Sequence, residues 1–376
     1  MIFLTYNDLY SGIYKSQVTD VCHFCERSLG VETRLIALVS IRNYRTQKKL
    51  IRQQLPNATV LPMFPRVQNW RRNALLLKLF GGIKKGETIW ARGAFSCNLA
   101  TSLKQTGNAG KVIFDARGAY DAEFNEYDVS GNEQLRSEIA FIEENALRKS
   151  DKQLAVSAKL SEWWQQKYHF TPTHHEVIPC TLSSDFEKPF PTEDELRNLR
   201  SKLGFKPNDL ILVYSGSSAG WQSFNLVDDY LFKKMSENAS IKLIFLSPRK
   251  PADSKIFQEF SNRIYTTWVK PSEVRNILLV ADYGLLIREN SVTNQVASPV
   301  KFAEYLACGL QVIISEKIGD FSDFVRQRDC GILNSDNAPL KTVSYSKKNI
   351  THQLAIAHFS KGSAQIRKQY ASLLAD

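Results

Sequence analysis

The chain has 376 residues, 43% of them hydrophobic and 23% charged, which excludes an extended disordered protein and allows two α/β cores rather than one. Lys and Arg number 49 against 38 Asp and Glu, a formal charge of +11 that suits an anionic ligand or surface such as nucleotide phosphates or an acidic lipid headgroup. Basic residues occur along the whole chain and no nucleic-acid-binding module is recognisable, so nucleic acid is not expected as a partner.

In chain order, apolar β-rich runs predict strands at 2–6, 33–39, 58–61, 88–91, 111–115, 153–157 and 176–178. Helical spacing lies between them at 16–29, 42–55, 71–80, 132–149 and 158–168. The start is neither basic nor followed by a long apolar run, so it does not read as a signal peptide, and no run approaches the length of a membrane span. A cytoplasmic protein is expected, either free or peripheral at the inner face of the membrane. After Pro179 a polar stretch with Pro189 and Pro191 leads into a helix at 193–203. A second alternating series follows, with strands at 210–214, 241–246, 264–267, 283–287 and 311–314, and a helical stretch closes the chain at about 347–375. Repeated strand-then-helix order implies parallel, doubly wound sheets. The expected fold class is therefore α/β, with two Rossmann-like domains at 1–180 and 181–345 and a C-terminal helical segment at 346–376 that packs back on the first. Ligands of such sheets bind outside the carboxyl ends of the strands, so the two domains are expected to face an interdomain cleft.

Several tempting motifs have plainer readings. Cys22 and Cys25 recur with Val18, Val21 and Leu29 at helical spacing, which makes them core residues, and all six cysteines are scattered as free thiols would be. His174 and His175 are adjacent, share no face, and read as loop residues. The loop after the first strand lacks G-x-G-x-x-G, the run from Gly216 to Gly220 lacks its second internal glycine, and Gly107 to Lys111 fits no P-loop spacing. No metal and no tightly bound cofactor are expected.

The informative segment runs from Ser298 to Ser315. Ser298 reads as an N-cap, Pro299 as the first helical residue and Gly309 as the terminator, with Phe302, Tyr305 and Leu306 packing inward. A helix start after a strand attracts phosphate, Lys301 adds charge there, and Glu304 shares its face and can accept from ribose hydroxyls. Taken alone, the same residues also describe an amphipathic helix with a solvated Lys–Glu pair.

The pattern Ser298-Pro299-Val300-Lys301, then Glu304-Tyr305-Leu306-Ala307 and Gly309, resembles the donor-site signature of the retaining GT-B glycosyltransferases of family 4, or group 1. Gln311 stands where that family usually has Pro. Val177-Ile178-Pro179-Cys180, Leu212 to Ser217, Ala281-Asp282-Tyr283-Gly284, Lys317 to Asp320 and Val112 to Glu123 are similar to further family stretches in the same order, the last in a bacterial polysaccharide-biosynthesis subgroup. The resemblance implies a GT-B enzyme that moves a sugar from a nucleotide-sugar co-substrate to a glycan or polyprenyl-linked acceptor, with retention. It implies that the C-terminal domain binds the donor through Gly216, Ser217, Arg249, Arg288, Ser298, Pro299, Val300, Lys301 and Glu304. The N-terminal domain would present the acceptor beside Gly12, Lys15, Arg92 and Glu123. Asp115, Arg117 and Lys301 are the catalytic candidates; the alternative for Asp115 and Arg117 is a structural ion pair. Val296 occupies the first position of the family's Glu-x7-Glu, and residues 218–222 lack its usual Arg and Lys. Two rivals remain: a nucleotide-sugar epimerase on the same architecture, and a catalytically silent binding subunit. Finally, residues 70–85 combine an apolar helical run with Arg71, Arg72, Lys78, Lys84 and Lys85, flanked by Trp70 and Phe80. Such a segment either lies in an anionic headgroup layer or packs on the sheet through residues 74–77.

Overall fold

A computed structural model describes residues 1–127, 131–216, 223–251, 253–336 and 338–375. The chain forms two compact units: Met1–Ser183 together with the stretch from Lys361 onward, and Ser184–Ser360. The first holds strands β1 (Ile2–Tyr6), β2 (Arg34–Val39), β3 (Thr59–Pro62), β4 (Ile89–Arg92), β5 (Val112–Ala116), β6 (Lys152–Ala155) and β7 (His175–Val177), in sheet order β3-β2-β1-β4-β5-β6-β7. The second holds β8 (Leu210–Ser215), β9 (Ile241–Leu246), β10 (Ile264–Thr267), β11 (Tyr283–Leu286), β12 (Gln311–Ile314) and β13 (Gly331–Leu333), ordered β10-β9-β8-β11-β12-β13. Every pairing is parallel. The strands are near-continuous apolar runs, as a sheet covered on both faces requires; Ile2, Phe3, Leu4 and Ile313 are wholly buried. Each order reverses beside its first strand, between β1 and β4 and between β8 and β11, and those switch points are where doubly wound sheets receive ligands.

The predicted strands lie within two residues of the observed ones, and β13 is an addition only three residues long. His175 opens β7 rather than lying in a loop. The helix Ala94–Gln105 escaped prediction because eight of its residues, including small Ala94, Ser96, Cys97 and Ala100, are buried, which leaves no apolar stripe to recognise. Thr192 and Glu195 form a full capping box at the start of Glu193–Lys202. The closing stretch is two helices, Tyr345–Phe359 in the second unit and Ala364–Leu374 in the first. In the latter, Tyr370 stacks on Trp90 with ring centroids 5.7 Å apart. All six cysteines are free and buried, Cys22 and Cys25 on the helix Asp20–Leu29.

The helix Val300–Ala307 is held by aromatic packing. Phe302 stacks on Phe321 at 4.1 Å and meets Phe359 edge-on at 5.8 Å, which ties the helix to Phe321–Arg328 and to Tyr345–Phe359. Gln311 fits the same arrangement: it is 7% exposed and its amide donates to Thr351 Oγ1 at 2.8 Å.

Candidate functional site

In the second unit the ends of β8, β11 and β12 carry the polar groups. The Ser215 N–H donates to the Tyr305 hydroxyl at 3.2 Å, and that hydroxyl lies 3.5 Å from the Leu285 carbonyl, so Tyr305 bridges β8 and β11 at the switch point. Gly284 makes room for it, since a Cβ there would come within 2.3 Å of the ring. Gly216 follows β8, with its N–H on the Leu246 carbonyl at 3.2 Å. Ser217 and residues 218–222 lie outside the described residues. Past β11, Arg288 is 8% exposed. Its backbone N–H donates to Ser315 Oγ at 2.9 Å and its Nη1 to Asn294 Oδ1 at 3.2 Å. The turn after β12 closes on this group. Gly319 has φ +48°, its N–H donates to the Asn294 carbonyl at 3.1 Å, and a Cβ would lie 1.9 Å from the Ala297 carbonyl oxygen.

The helix Val300–Ala307 begins one residue later than its sequence suggests. Pro299 is the N-cap, not Ser298, and no side chain caps it. Its ψ of 121° is extended, which delays the first helical residue to Val300. Ser298, Pro299 and Val300 are buried, while Lys301 and Glu304 are half-buried on one face. Burial pushes the Lys301 ammonium down to about 7, the Arg288 guanidinium acts in the same direction, and Glu304 opposes both. Burial likewise pushes the Glu304 carboxyl up to about 7, against the attraction of Lys301. Two cations held near each other in poorly solvated surroundings repel, and a dianion placed on them relieves that repulsion. The group therefore favours an anion, with a carboxyl one helical turn away.

The first unit gathers a second cluster at its own switch point. Arg92 ends β4, opposite Asp115 of β5. Its Nε lies 3.3 Å from Asp8 Oδ2 and its Nη1 3.9 Å from Asp115 Oδ2, and this buried Nη1 makes no hydrogen bond. Asp115 is 2% exposed; Oδ1 accepts from Arg117 Nη1 at 3.0 Å and Oδ2 from Trp90 Nε1 at 3.2 Å. Arg117 Nη2 in turn donates to Gln17 Oε1 and to Cys180 Sγ, each at 2.9 Å. Asp115 and Arg117 are thus paired with each other and both Asp115 oxygens are engaged. Burial pushes the Asp8 carboxyl up, with Arg92 opposing, and burial alone raises Glu123.

Other expected residues stand elsewhere. Arg249 is exposed in the turn after β9 and pairs with no carboxylate among the described residues. Gly12 opens the short helix Gly12–Tyr14 with open space where a Cβ would stand, and Lys15 pairs with Asp20 at 3.2 Å. Val296 is 2% exposed, within the core. In the segment expected to meet membrane, Trp70 is 5% exposed and packs edge-on against Phe95, so it is not an interfacial aromatic. Asn73 and Leu77 are buried, while Leu75, Leu79 and Phe80 are 56%, 62% and 62% exposed. Arg71 pairs with Glu138 at 3.0 Å, whereas Arg72, Lys78, Lys84 and Lys85 are exposed. The sequence reading missed Asp8, Gln17, Trp90 and Asn294, and met Cys180 and Gly319 only within stretches of family resemblance. Asp8, two residues past the first strand, was findable from the carboxyl-end rule; Gln17 and Cys180 meet only through the tertiary fold.

Among the described residues no group of three His, Cys, Asp or Glu could hold a metal ion. No family model matches the chain and no curated protein matches its sequence. Solved structures do match over nearly its whole length. Sucrose-phosphate synthase from Thermosynechococcus elongatus is 13% identical, with 99% of this chain and 98% of that one covered and a TM-score of 0.67. A glycosyltransferase from Rickettsia africae is 15% identical, covering 100% and 98%, also at 0.67. A protein described as a UDP-N-acetylglucosamine 2-epimerase from Listeria monocytogenes is 9% identical, covering 99% and 88%, at 0.56. With its two parallel sheets of seven and six strands, the chain has the two-domain Rossmann-like GT-B fold.

Proposed function

We propose that the chain is a glycosyltransferase that moves a sugar from a nucleoside diphosphate donor to a hydroxyl of a glycan or lipid-linked acceptor, with retention of configuration. The observation that carries this reading is the group formed by Arg288, Lys301 and Glu304 at the β8/β11 switch point. In this reading the diphosphate lies against Arg288, Lys301 and Gly216, beside the helix start at Ser298–Val300, and Glu304 accepts from the ribose. When the bond from the anomeric carbon to the phosphate oxygen breaks, the electron pair leaves with the diphosphate, and Lys301 and Arg288 stabilise the charge that grows there. The acceptor hydroxyl forms the new bond and passes its proton to the departing phosphate. Arg92 and Glu123, with Gly12 and Lys15, serve the acceptor in the first unit. Asp115, both of whose oxygens are engaged, acts by holding Arg117 and Arg92 in position.

The proposed partner of the exposed Leu75, Leu79 and Phe80, with Arg71, Arg72, Lys78, Lys84 and Lys85, is an anionic membrane surface. No helix among the described residues is long and apolar enough to cross a membrane.

A thermal-shift panel of nucleoside diphosphates and nucleotide sugars tests the donor site. A ligand at 100 times its Kd adds about 2.7 kcal/mol, and Lys301→Ala and Glu304→Ala should each lose most of the shift. If no nucleotide stabilises the protein, the proposal fails. An epimer formed from donor alone identifies an epimerase instead, and binding with neither transfer nor hydrolysis identifies a silent binding subunit.

A further inference from the structure

The helix Ala94–Gln105 carries polar residues on a face that its neighbours do not fill. Asn98, Thr101, Ser102 and Gln105 follow at spacings i, i+3, i+4 and i+7, which makes one stripe about 10 Å long. The helices Asn73–Phe80 and Glu133–Lys149 both pack against this helix. The stripe, with Phe141 and Asn145 of the latter and Trp70 just before the former, lines a pocket of about 310 Å³. All of these residues belong to the first unit, and none of them takes part in the cluster around Arg92. The two places are neighbours all the same: Phe95 meets Trp70 of the pocket at 5.6 Å between ring centroids and Tyr120 at 6.4 Å.

The hydrogen-bonding groups of the pocket are only partly used by the protein itself. Asn98 spends both Nδ2 hydrogens, on the Ala94 carbonyl at 2.8 Å and the Ile142 carbonyl at 2.7 Å, and among the described residues no donor reaches its Oδ1. No hydrogen bond joins the side-chain amide of Gln105 or of Asn145 to another described residue. Trp70 is 5% exposed, and its Nε1, which can only donate, makes no hydrogen bond. Thr101 and Ser102 donate to the Asn98 and Leu99 carbonyls at 3.1 and 2.7 Å, so their oxygens can still accept. Covering such groups without pairing them is costly, so an occupant must offer both donors and acceptors. It must also offer an apolar face, because the Phe141 ring is 60% exposed. It is not a cation: no carboxylate lines the pocket, and Lys149 at its end pairs with none among the described residues.

We propose that this pocket is a saccharide-binding site, distinct from the place of transfer, that holds a glycan chain against the helix Ala94–Gln105. A sugar ring meets both demands at once, since its hydroxyls donate to and accept from side-chain amides while its C–H face covers an aromatic ring. A phosphate would leave Phe141 uncovered, and an apolar helix would strand the amides of Asn98, Gln105 and Asn145 away from water. The inference rests on the saccharide acceptor proposed above and not on the donor site. A glycan held here stays near the acceptor cluster between one transfer and the next, which favours longer acceptors.

The test is binding of the full chain to an array of neutral and acidic oligosaccharides, followed by calorimetry with the best-bound oligosaccharide and with its monosaccharide. The wild type should retain at least one oligosaccharide and bind it more tightly than the monosaccharide. Phe141→Ala and Asn145→Ala should each weaken binding roughly tenfold, and the double variant roughly a hundredfold. The Tm and the affinity for UDP or GDP should not change in either. Phe141→Trp keeps an aromatic face and should bind at least as tightly as the wild type. Failure of every oligosaccharide to bind overturns the proposal, as does full affinity in the double variant. A wild-type dimer that Phe141→Ala dissociates overturns it too, since a second copy would then fill the pocket. An oligosaccharide bound through this pocket by a protein that binds no nucleotide would sink the sugar-transfer reading and leave this one standing. Nucleotide binding that depends on Lys301, with no oligosaccharide bound, would do the reverse.

Discussion

Lys301 gives the proposed donor site a pH signature. In the free protein its ammonium titrates near 7, because burial and the Arg288 guanidinium both disfavour the charged form. A bound diphosphate reverses that balance and holds the proton on, so above pH 7 complex formation takes up a proton. The sign follows: affinity falls as pH rises through 7, the range in which only the complex keeps the lysine charged. About half the lysines are charged at pH 7 and about one in a hundred at pH 9, so affinity for UDP or GDP, whichever binds, should drop about fifty-fold between the two. The phosphate's own titration near pH 6 is complete over this window. Glu304 titrates in the same region for the mirror reason. Binding ribose as a carboxylate, it releases a proton below 7, which places tightest binding close to neutrality. Calorimetry in buffers of different ionisation enthalpy counts these protons directly. Lys301→Met should abolish the uptake together with roughly 1.5–3 kcal/mol of affinity. A wild-type affinity that stays flat from pH 7 to 9, or a proton uptake that survives in Lys301→Met, refutes the reasoning.

Three further outcomes follow from contacts described above. Tyr305→Phe removes the hydroxyl that receives the Ser215 N–H; it should cost about 1–2 kcal/mol in urea unfolding and weaken nucleotide binding beside Gly216. Asp115→Asn breaks a buried pair with Arg117 and should cost about 3 kcal/mol, with turnover reduced and nucleotide affinity intact; a loss confined to donor affinity would contradict its place in the first unit. Gly319→Ala forces a Cβ toward the Ala297 carbonyl at positive φ and should destabilise by about 2 kcal/mol or more, with Gly319→Ser no better; an unchanged Tm would mean that the turn yields freely.

The sheets were legible because parallel strands are buried on both faces and therefore read as short apolar runs: Ile241–Leu246 and Gln311–Ile314 emerge with their observed bounds. Ala94–Gln105 was not legible, since a helix buried on most sides carries no contrast between faces. Lys301 and Glu304 could be singled out because they sit on one short segment of distinctive order, Arg288 only as a cation to replace those missing from residues 218–222. The ties around Arg288 were not, because Asn294 reaches it from the short helix Val292–Gln295 and Ser315 from the end of β12. The direction of Trp70 was not legible for a related reason: composition describes a segment's amphipathic character but not which of its turns faces the sheet, and Trp70 turns inward against Phe95.

The return of the C-terminal helix to the first unit sets an order of assembly. Tyr370 stacks on Trp90 and meets Phe24 at a tilt, Gln369 donates to the Val177 carbonyl at 2.9 Å, and Arg367 donates to the Ser28 carbonyl at 2.9 Å. The seven-stranded sheet is made first on the ribosome, yet these contacts cannot form until the last helix has emerged. The second unit is one uninterrupted stretch, Ser184–Ser360, and can close before that. The unit whose strands come earlier in the sequence therefore completes its contacts only after all residues of the second unit have been made. A truncation after residue 360 would spare every residue of the proposed donor site and still leave Trp90 without one of its stacking partners.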